Sequence, residues 1–169
     1  MTAQAELIEP DVQGVAHLTM TSPPQAACLQ GSHAQYAALT YRMVKDRPEI
    51  LLITSRGTGR WILPKGWPMK NRSPANAALR EAYEEAGVSG RVSDEALGTY
   101  GYDKMLDDGA ALPCRCVVYP VEVDHLKRQF PEAGQRRRKW VSRKKAARLV
   151  DEPELAQLLR QFDPEAVSF

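Results

Sequence analysis

The sequence has few of the residues that mark a zinc-binding, secreted or membrane-spanning chain. Its 3 cysteines form no CxxC pair and its 3 histidines are scattered, so neither a zinc cluster nor a nucleophilic triad is indicated. No apolar run reaches the roughly 18–20 residues of a membrane helix. The first thirty residues contain no lysine or arginine with which to begin a secretory signal. We therefore expect a cytoplasmic protein without a membrane partner, in which Cys114 and Cys116 are buried free thiols on one face of a strand.

The small net charge hides an uneven distribution. The chain carries 23 Lys+Arg against 21 Asp+Glu, a formal net charge of +2. Three of the acids, Glu6, Glu9 and Asp11, lie in the first thirty residues, which leaves 23 basic against 18 acidic residues afterwards. A length of 169 residues favours one domain. We expect an N-terminal arm over 1–32, extended or loosely packed, followed by one basic domain over 33–169.

Short apolar segments mixed with helical segments predict an α/β fold with a mixed sheet. The clearest helix begins after Ser73-Pro74, a capping residue followed by a proline at the first helical position, and ends at Gly87. Ala78, Ala82 and Tyr83, with two more alanines nearby, give this helix a stripe of mostly small residues for packing on a sheet. Strands are predicted at 34–43, 50–54, 92–102, 113–123 and 139–141, turns at 45–48 and 107–109, and further helices at 142–150 and 153–162.

Three carboxylates converge on one face of the predicted helix. Glu81, Glu84 and Glu85 are spaced i, i+3 and i+4, so they repel one another by a few tenths of a kcal/mol per pair. A divalent cation reverses that repulsion, and carboxylate oxygens suit Mg²⁺ or Mn²⁺. Arg80 can orient one carboxylate, and backbone carbonyls of the loop at 64–66 can complete the site. The alternative is an ordinary solvated acidic face.

The surrounding segment resembles a known motif. Residues 66–88 are similar to the Nudix box, G-x5-E-x7-R-E-U-x-E-E-x-G-U, where U is apolar, and Arg72 replaces the first Glu of that pattern. Residues 55–61 resemble the S-R-x-x-x-R-W stretch of diphosphoinositol polyphosphate phosphohydrolases, and 61–66 the W-x-L-P-K-G entry of asymmetrical diadenosine tetraphosphate hydrolases. Residues 136–140 are similar to a basic run before a Trp in the diphosphoinositol group, with Lys139 in place of an acid. The positions in register with the box are Gly66, Arg80, Glu81, Ala82, Glu84, Glu85, Gly87 and Val88.

This resemblance implies a Nudix α/β/α sandwich and Mg²⁺- or Mn²⁺-dependent hydrolysis of a pyrophosphate linkage. Glu81 and Glu85 would be the first metal ligands and Glu84 a further one, with the backbone carbonyl of Lys65 or Gly66 added. The general base stays open among Glu81, Glu84, Asp107, Asp108 and Glu122. We expect Arg72, a charge reversal beside the cation site, to weaken metal binding or to shift the site towards an anionic substrate.

Basic residues in the flanking loops suggest a positive rim around this acidic helix. Such a rim suits a substrate with several phosphates, because Arg binds phosphate through a planar fork and Lys as a point charge. Trp67 either stacks on an adenine or packs structurally. The basic run at 136–145 is a solvated face, a contact for an anionic small molecule or an RNA-binding segment. The rim residues are Arg56, Arg60, Lys65, Lys70 and Arg138.

The favoured substrate is a polyphosphorylated small molecule, with diphosphoinositol polyphosphates or diadenosine polyphosphates first. One alternative is an RNA 5′-end pyrophosphohydrolase. Another is a Nudix-fold binding or regulatory module that Arg72 has weakened catalytically. A monomer and a homodimer are both compatible with the sequence.

Overall fold

The structure, a computed structural model, describes residues 33–169, so the arm expected over 1–32 lies outside the described residues. Eight strands of this part form one mixed sheet in the order β3-β2-β1-β7-β5, with β4 paired to β1, β6 to β7 and β8 to β2. The strands are β1 His33–Val44, β2 Arg47–Thr54, β3 Trp61–Ile62, β4 Lys65–Gly66, β5 Val88–Val92, β6 Gly98–Met105, β7 Ala111–Leu126 and β8 Arg138–Ser142. The helices are α1 Pro74–Ala86, α2 Arg143–Leu149 and α3 Pro153–Gln161, followed by a 3₁₀ turn at Pro164–Ala166.

The central strand β1 makes the sheet mixed. It runs parallel to β7 and antiparallel to β2 and β4. Lys45 and Asp46, both with positive φ, form the turn between β1 and β2, which confirms the predicted hairpin.

The two faces of the sheet carry different layers. Alternate residues of β2 divide between them, with Leu51 and Ile53 on the α1 side and Ile50 and Leu52 in the core on the other side. The small residues of α1 at 75, 78, 82 and 86 are buried on its side, which lets the helix lie close to the strands. Leu155 and Leu159 of α3 cover the opposite face, so the predicted α/β/α sandwich is confirmed, while Leu158 is only half-buried. None of the helices over 33–169 is long and apolar enough to cross a membrane.

The boundaries of α1 follow from local chemistry. The Ser73 hydroxyl accepts a hydrogen bond from the Asn76 backbone N–H at 3.3 Å, and Pro74 is the first helical residue. Gly87 ends the helix with φ 69°, in the left-handed region, and donates its N–H to the Tyr83 carbonyl. Both predicted ends are therefore confirmed.

The single strand predicted over 92–102 is wrong. β5 ends at Val92 and β6 begins at Gly98, and both pair with the long strand β7 along the same edge. Between them the Ser93 hydroxyl accepts a hydrogen bond from the Glu95 N–H, a local turn that competes with strand pairing. The segment leaves the sheet there, which a pattern of apolar residues alone did not indicate.

Candidate active site

The carboxylate face of α1 lies against the loop that carries β4. A side-chain Cβ built on Gly66 would stand 2.0 Å from Glu81 Oε1 and 2.1 Å from its carboxyl carbon, closer than any side chain tolerates. Glycine at position 66 therefore lets the Glu81 carboxylate rest directly on the loop backbone. β4 in turn pairs with β1 through Tyr36 opposite Gly66, so the sheet fixes the loop's position.

Glu85 joins α1 to two other segments. The residue is 7% exposed, and both oxygens of its carboxylate are hydrogen-bonded. Oε2 accepts a hydrogen bond from the Lys65 backbone N–H at 3.1 Å, and Oε1 accepts one from Arg136 Nη2 at 2.5 Å. Burial raises the pKa of Glu85, and the Arg136 charge and the hydrogen bond from Lys65 oppose that rise. Glu85 thus holds the β4 loop and the segment before β8 against the helix.

Arg136 brings a fourth carboxylate to this face. Its side chain is only 6% exposed, and it donates to Glu132 Oε2 from Nε at 2.8 Å and to the Thr54 carbonyl from Nη1 at 3.1 Å. Glu132 belongs to the loop between β7 and β8, and its own N–H donates to the Glu84 carbonyl at 3.0 Å. The sequence reasoning missed Glu132, because its loop has no periodicity and its spacing to Arg136 is the only available signal.

Glu81 is the carboxylate of α1 that, within residues 33–169, forms no ion pair with an arginine, unlike Glu84 and Glu85. It accepts no hydrogen bond from any residue in the range 33–169, whereas burial, then Glu85, Glu84 and Glu132 raise its pKa to about 7. Arg136 opposes that rise. A second cation near Glu81 would therefore be favoured electrostatically.

Arg80 holds the remaining carboxylate of the helix. Its Nε donates to Glu84 Oε1 at 2.5 Å, which is the pairing of Arg80 with a carboxylate that the sequence suggested. The terminal nitrogens of its guanidinium form no hydrogen bond within residues 33–169.

The donor chemistry suits Mg²⁺ or Mn²⁺, but the carboxylates are engaged with arginines. No group of three His, Cys, Asp or Glu side chains between residues 33 and 169 is arranged to hold a metal ion. Glu85 faces Arg136 and Glu84 faces Arg80. Glu81, resting on Gly66, is the candidate ligand that needs no exchange of partner, and Glu84 keeps its Oε2 free because Arg80 bonds only Oε1. Glu85, with both oxygens bonded, would have to release a donor to join them.

Of the other carboxylates considered as general base, Glu122 lies away from Gly66. Glu122 stands opposite Tyr41 on β1, whereas Gly66 stands opposite Tyr36, so the two positions are five residues apart along that strand. At about 3.3 Å per residue this is roughly 16 Å. Glu122 instead pairs with Arg91. Asp107 and Asp108 lie in the exposed turn between β6 and β7, where Asp108 accepts the Ala110 N–H at 2.9 Å.

The expectation of a basic rim of five side chains needs correction, because three of the five have internal partners. The Lys65 side chain lies over the Tyr102 ring, with Nζ 4.7 Å from its centre, and burial lowers its pKa. Arg138 donates to the Ala86 carbonyl at 2.8 Å at the end of α1, and Arg60 lies 3.4 Å from both Asp151 and Glu152.

The other two cations of that rim are exposed, as Arg138 also is. Arg56 is exposed and lies 3.8 Å from Glu132, which places it beside the carboxylates, and Lys70 is exposed in the loop before α1. Trp67 is 38% exposed, stands edge-on to His33 and has Lys104 Nζ 4.7 Å above its ring. Its indole therefore keeps an accessible surface.

The sandwich and its carboxylate-bearing helix define a Nudix domain. A family model described as NUDIX domain matches residues 33–162, and the chain belongs to this family. Among its relatives, chloroplastic Nudix hydrolase 21 of Arabidopsis thaliana is 35% identical over 119 residues, which cover 68% of this chain and 56% of that protein. Human diphosphoinositol polyphosphate phosphohydrolase 3-beta is 30% identical over 113 residues, 66% of this chain and 65% of that protein.

Solved structures show the same fold. An Ap4A hydrolase of C. elegans, in a binary complex, superposes with a TM-score of 0.55 at 20% identity, covering 76% of this chain and 93% of that one. The match to the Arabidopsis relative spans little more than half of that protein's length.

Proposed function

We propose that this chain hydrolyses a phosphoanhydride bond in a polyphosphorylated small molecule, with Mg²⁺ or Mn²⁺ as cofactor. The observation that carries the proposal is the Glu81 carboxylate resting on Gly66 without a hydrogen-bond donor among the described residues, while Glu85, Glu84 and Glu132 are close enough to raise its pKa. The match of residues 33–162 to the Nudix domain supports the same function.

Glu81 would be the first ligand of the ion, with Glu85, Glu84 and the carbonyls of Lys65 or Gly66 as the further candidates. A bound divalent ion neutralises phosphate charge and lowers the pKa of its water. Glu132 takes the place of Glu122 among the candidates for general base, because it reaches the carboxylate face from another loop. Arg136 keeps Glu132 and Glu85 in position by donating one hydrogen bond to each.

The substrates to test first are diphosphoinositol polyphosphates and diadenosine polyphosphates. Human and worm relatives carry names that refer to these two classes. Arg56 supplies exposed positive charge beside Glu132, Lys70 is exposed in the loop before α1, and Trp67 offers an aromatic surface to a base. A ring that carries several phosphates would use the cations, whereas a dinucleotide would also use the indole.

RNA ends are a weaker candidate. In the basic run at 136–145, Arg136 is buried in its ion pairs, and Arg138 and Arg143 donate to backbone carbonyls. Arg137 and Lys139 stay exposed and flank the Trp61 ring at 5.4 and 5.8 Å. The run therefore presents less free charge than its composition indicates.

The test is the release of cleavage products from a panel of diphosphoinositol polyphosphates, diadenosine polyphosphates and short capped RNA, with millimolar Mg²⁺ or Mn²⁺. The products are separated by chromatography, because a diphosphoinositol polyphosphate releases inorganic phosphate, whereas a dinucleotide or a cap is split into two phosphorylated products. We expect a small molecule to be cleaved faster than RNA, and Glu81→Gln to lower kcat by about 10²–10⁴-fold. Glu95→Gln, in the exposed turn after β5, is the matched control and should leave the rate unchanged. No release from any compound would favour a binding module, and preferred cleavage of capped RNA would favour the RNA-end activity.

A further inference from the structure

A cavity lies on the side of α1 away from Glu81. It has a volume of about 230 Å³ and is bounded by α1, the start of β5 and the residue that follows β7. This is smaller than the ~300–1,000 Å³ of sites for drug-sized ligands. It therefore fits one small group, such as a phosphate or a diphosphate.

The charge of this cavity is of one sign. Arg72, Arg80 and Lys127 line it, and none of its lining residues is acidic. Within residues 33–169, Arg72 and Lys127 form no ion pair, and Arg80 shares only its Nε with Glu84. Arg72 and Lys127 therefore carry charge without a carboxylate partner in one small concavity, and an anion there would be favoured electrostatically.

An aromatic ring holds two of these cations in place. Arg80 and Lys127 each lie 5.2 Å from the centre of the Tyr83 ring, within the range of cation–π attraction. Ser89, a residue with a hydroxyl group, also lines the cavity. The cavity is thus a built arrangement of donors around an aromatic side chain.

We propose that this cavity binds a phosphate-bearing anion, and that Arg72 is one of its binding residues. The guanidinium groups of Arg72 and Arg80 bind phosphate oxygens through parallel N–H donors, and Lys127 adds a point charge. The residue that departs from the family's box thereby acquires a role on the opposite side of the helix. This site does not depend on hydrolysis at the carboxylate face.

The probe is inorganic pyrophosphate, titrated calorimetrically into the full 169-residue chain at low salt with EDTA present. Without divalent cations the carboxylate face repels the anion, so the heat reports on the cavity. We expect one binding event, weakened roughly tenfold or more by Arg72→Gln and by Lys127→Gln, since each removes a charge-assisted hydrogen bond. Both side chains are exposed, so both variants should fold.

Matched controls remove the same charge elsewhere. Lys144→Gln and Arg148→Gln lie exposed on α2, across the sheet from the cavity, and should change the affinity less than twofold. Absence of binding by the unaltered chain, or equal losses in control and cavity variants, overturns the proposal. Glu81→Gln separates this proposal from the hydrolytic one, because it should lower the rate of substrate cleavage and leave metal-free pyrophosphate binding intact.

Discussion

Replacing Arg136 with methionine should destabilise the domain by about 3 kcal/mol. Arg136 and Glu85 are 6% and 9% exposed as side chains, so the substitution leaves a buried carboxylate without its cation. Breaking a buried ion pair by removing one partner costs about 3–5 kcal/mol. Glu85 keeps its hydrogen bond from the Lys65 N–H, and this remaining donor places the expected loss at the lower end of that range.

Urea unfolding at pH 7 without divalent cations measures this loss. With a slope of about 2 kcal/mol/M, a loss of about 3 kcal/mol moves the midpoint down by about 1.5 M at an unchanged slope. The control is Arg137→Met at the exposed neighbouring position, which should change the free energy of unfolding by less than about 0.5 kcal/mol. The double variant Arg136→Met with Glu85→Met should recover most of the loss, because it removes both charges. If Arg136→Met unfolds at the same midpoint as the unaltered chain, the buried pair does not hold the site together.

Three further results are expected. In metal-free buffer the free energy of unfolding should fall as pH rises from 4.5 towards about 7, since the folded state retains a proton on Glu81 that the unfolded chain releases at its ordinary pKa. Urea titrations of Glu81→Gln should show a smaller decline, since the pKa of Glu85 is also raised, and an equal decline in both proteins would contradict the prediction. Gly66→Ala should lower kcat by about 100-fold or more, since its Cβ would lie 2.0 Å from Glu81 Oε1, whereas Gly57→Ala, with nothing within 4 Å, should leave kcat unchanged. Millimolar Mn²⁺ should raise the Tm of the chain and not that of Glu81→Gln, as thermal unfolding would show.

Helix α1 could be predicted because its signals are local. Ser73 and Pro74 begin it, Gly87 ends it, and the spacing of its carboxylates places them on one face whatever the rest of the chain does. The contact between Gly66 and Glu81 is not local in this sense, because the sequence predicted only that the loop at 64–66 lies near the carboxylates and not which of them rests on Gly66.

The environments of Lys65 and Glu132 could not be predicted from the sequence, because both depend on tertiary structure. Lys65 looked like a rim residue, but β4 is two residues long and pairs Lys65 with Ala37, which sends its side chain to the Tyr102 side of the sheet. Glu132 lies in a loop without periodicity, and its position near Glu85 depends on Arg136, which donates a hydrogen bond to each of them. Sequence patterns describe which residues share an element, and they say little about which elements meet.

The backbone N–H of Lys65 is hydrogen-bonded to a side chain that lies twenty positions further along the chain. This proton is bonded to Glu85 Oε2, and it exchanges with solvent only when that carboxylate turns away or the loop opens. In an amide-resolved spectrum its signal would report on the partner of Glu85 without any label at the carboxylates. A ligand that draws Glu85 aside should speed exchange at this one amide, and a ligand that fills only the far side of α1 should leave its rate unchanged.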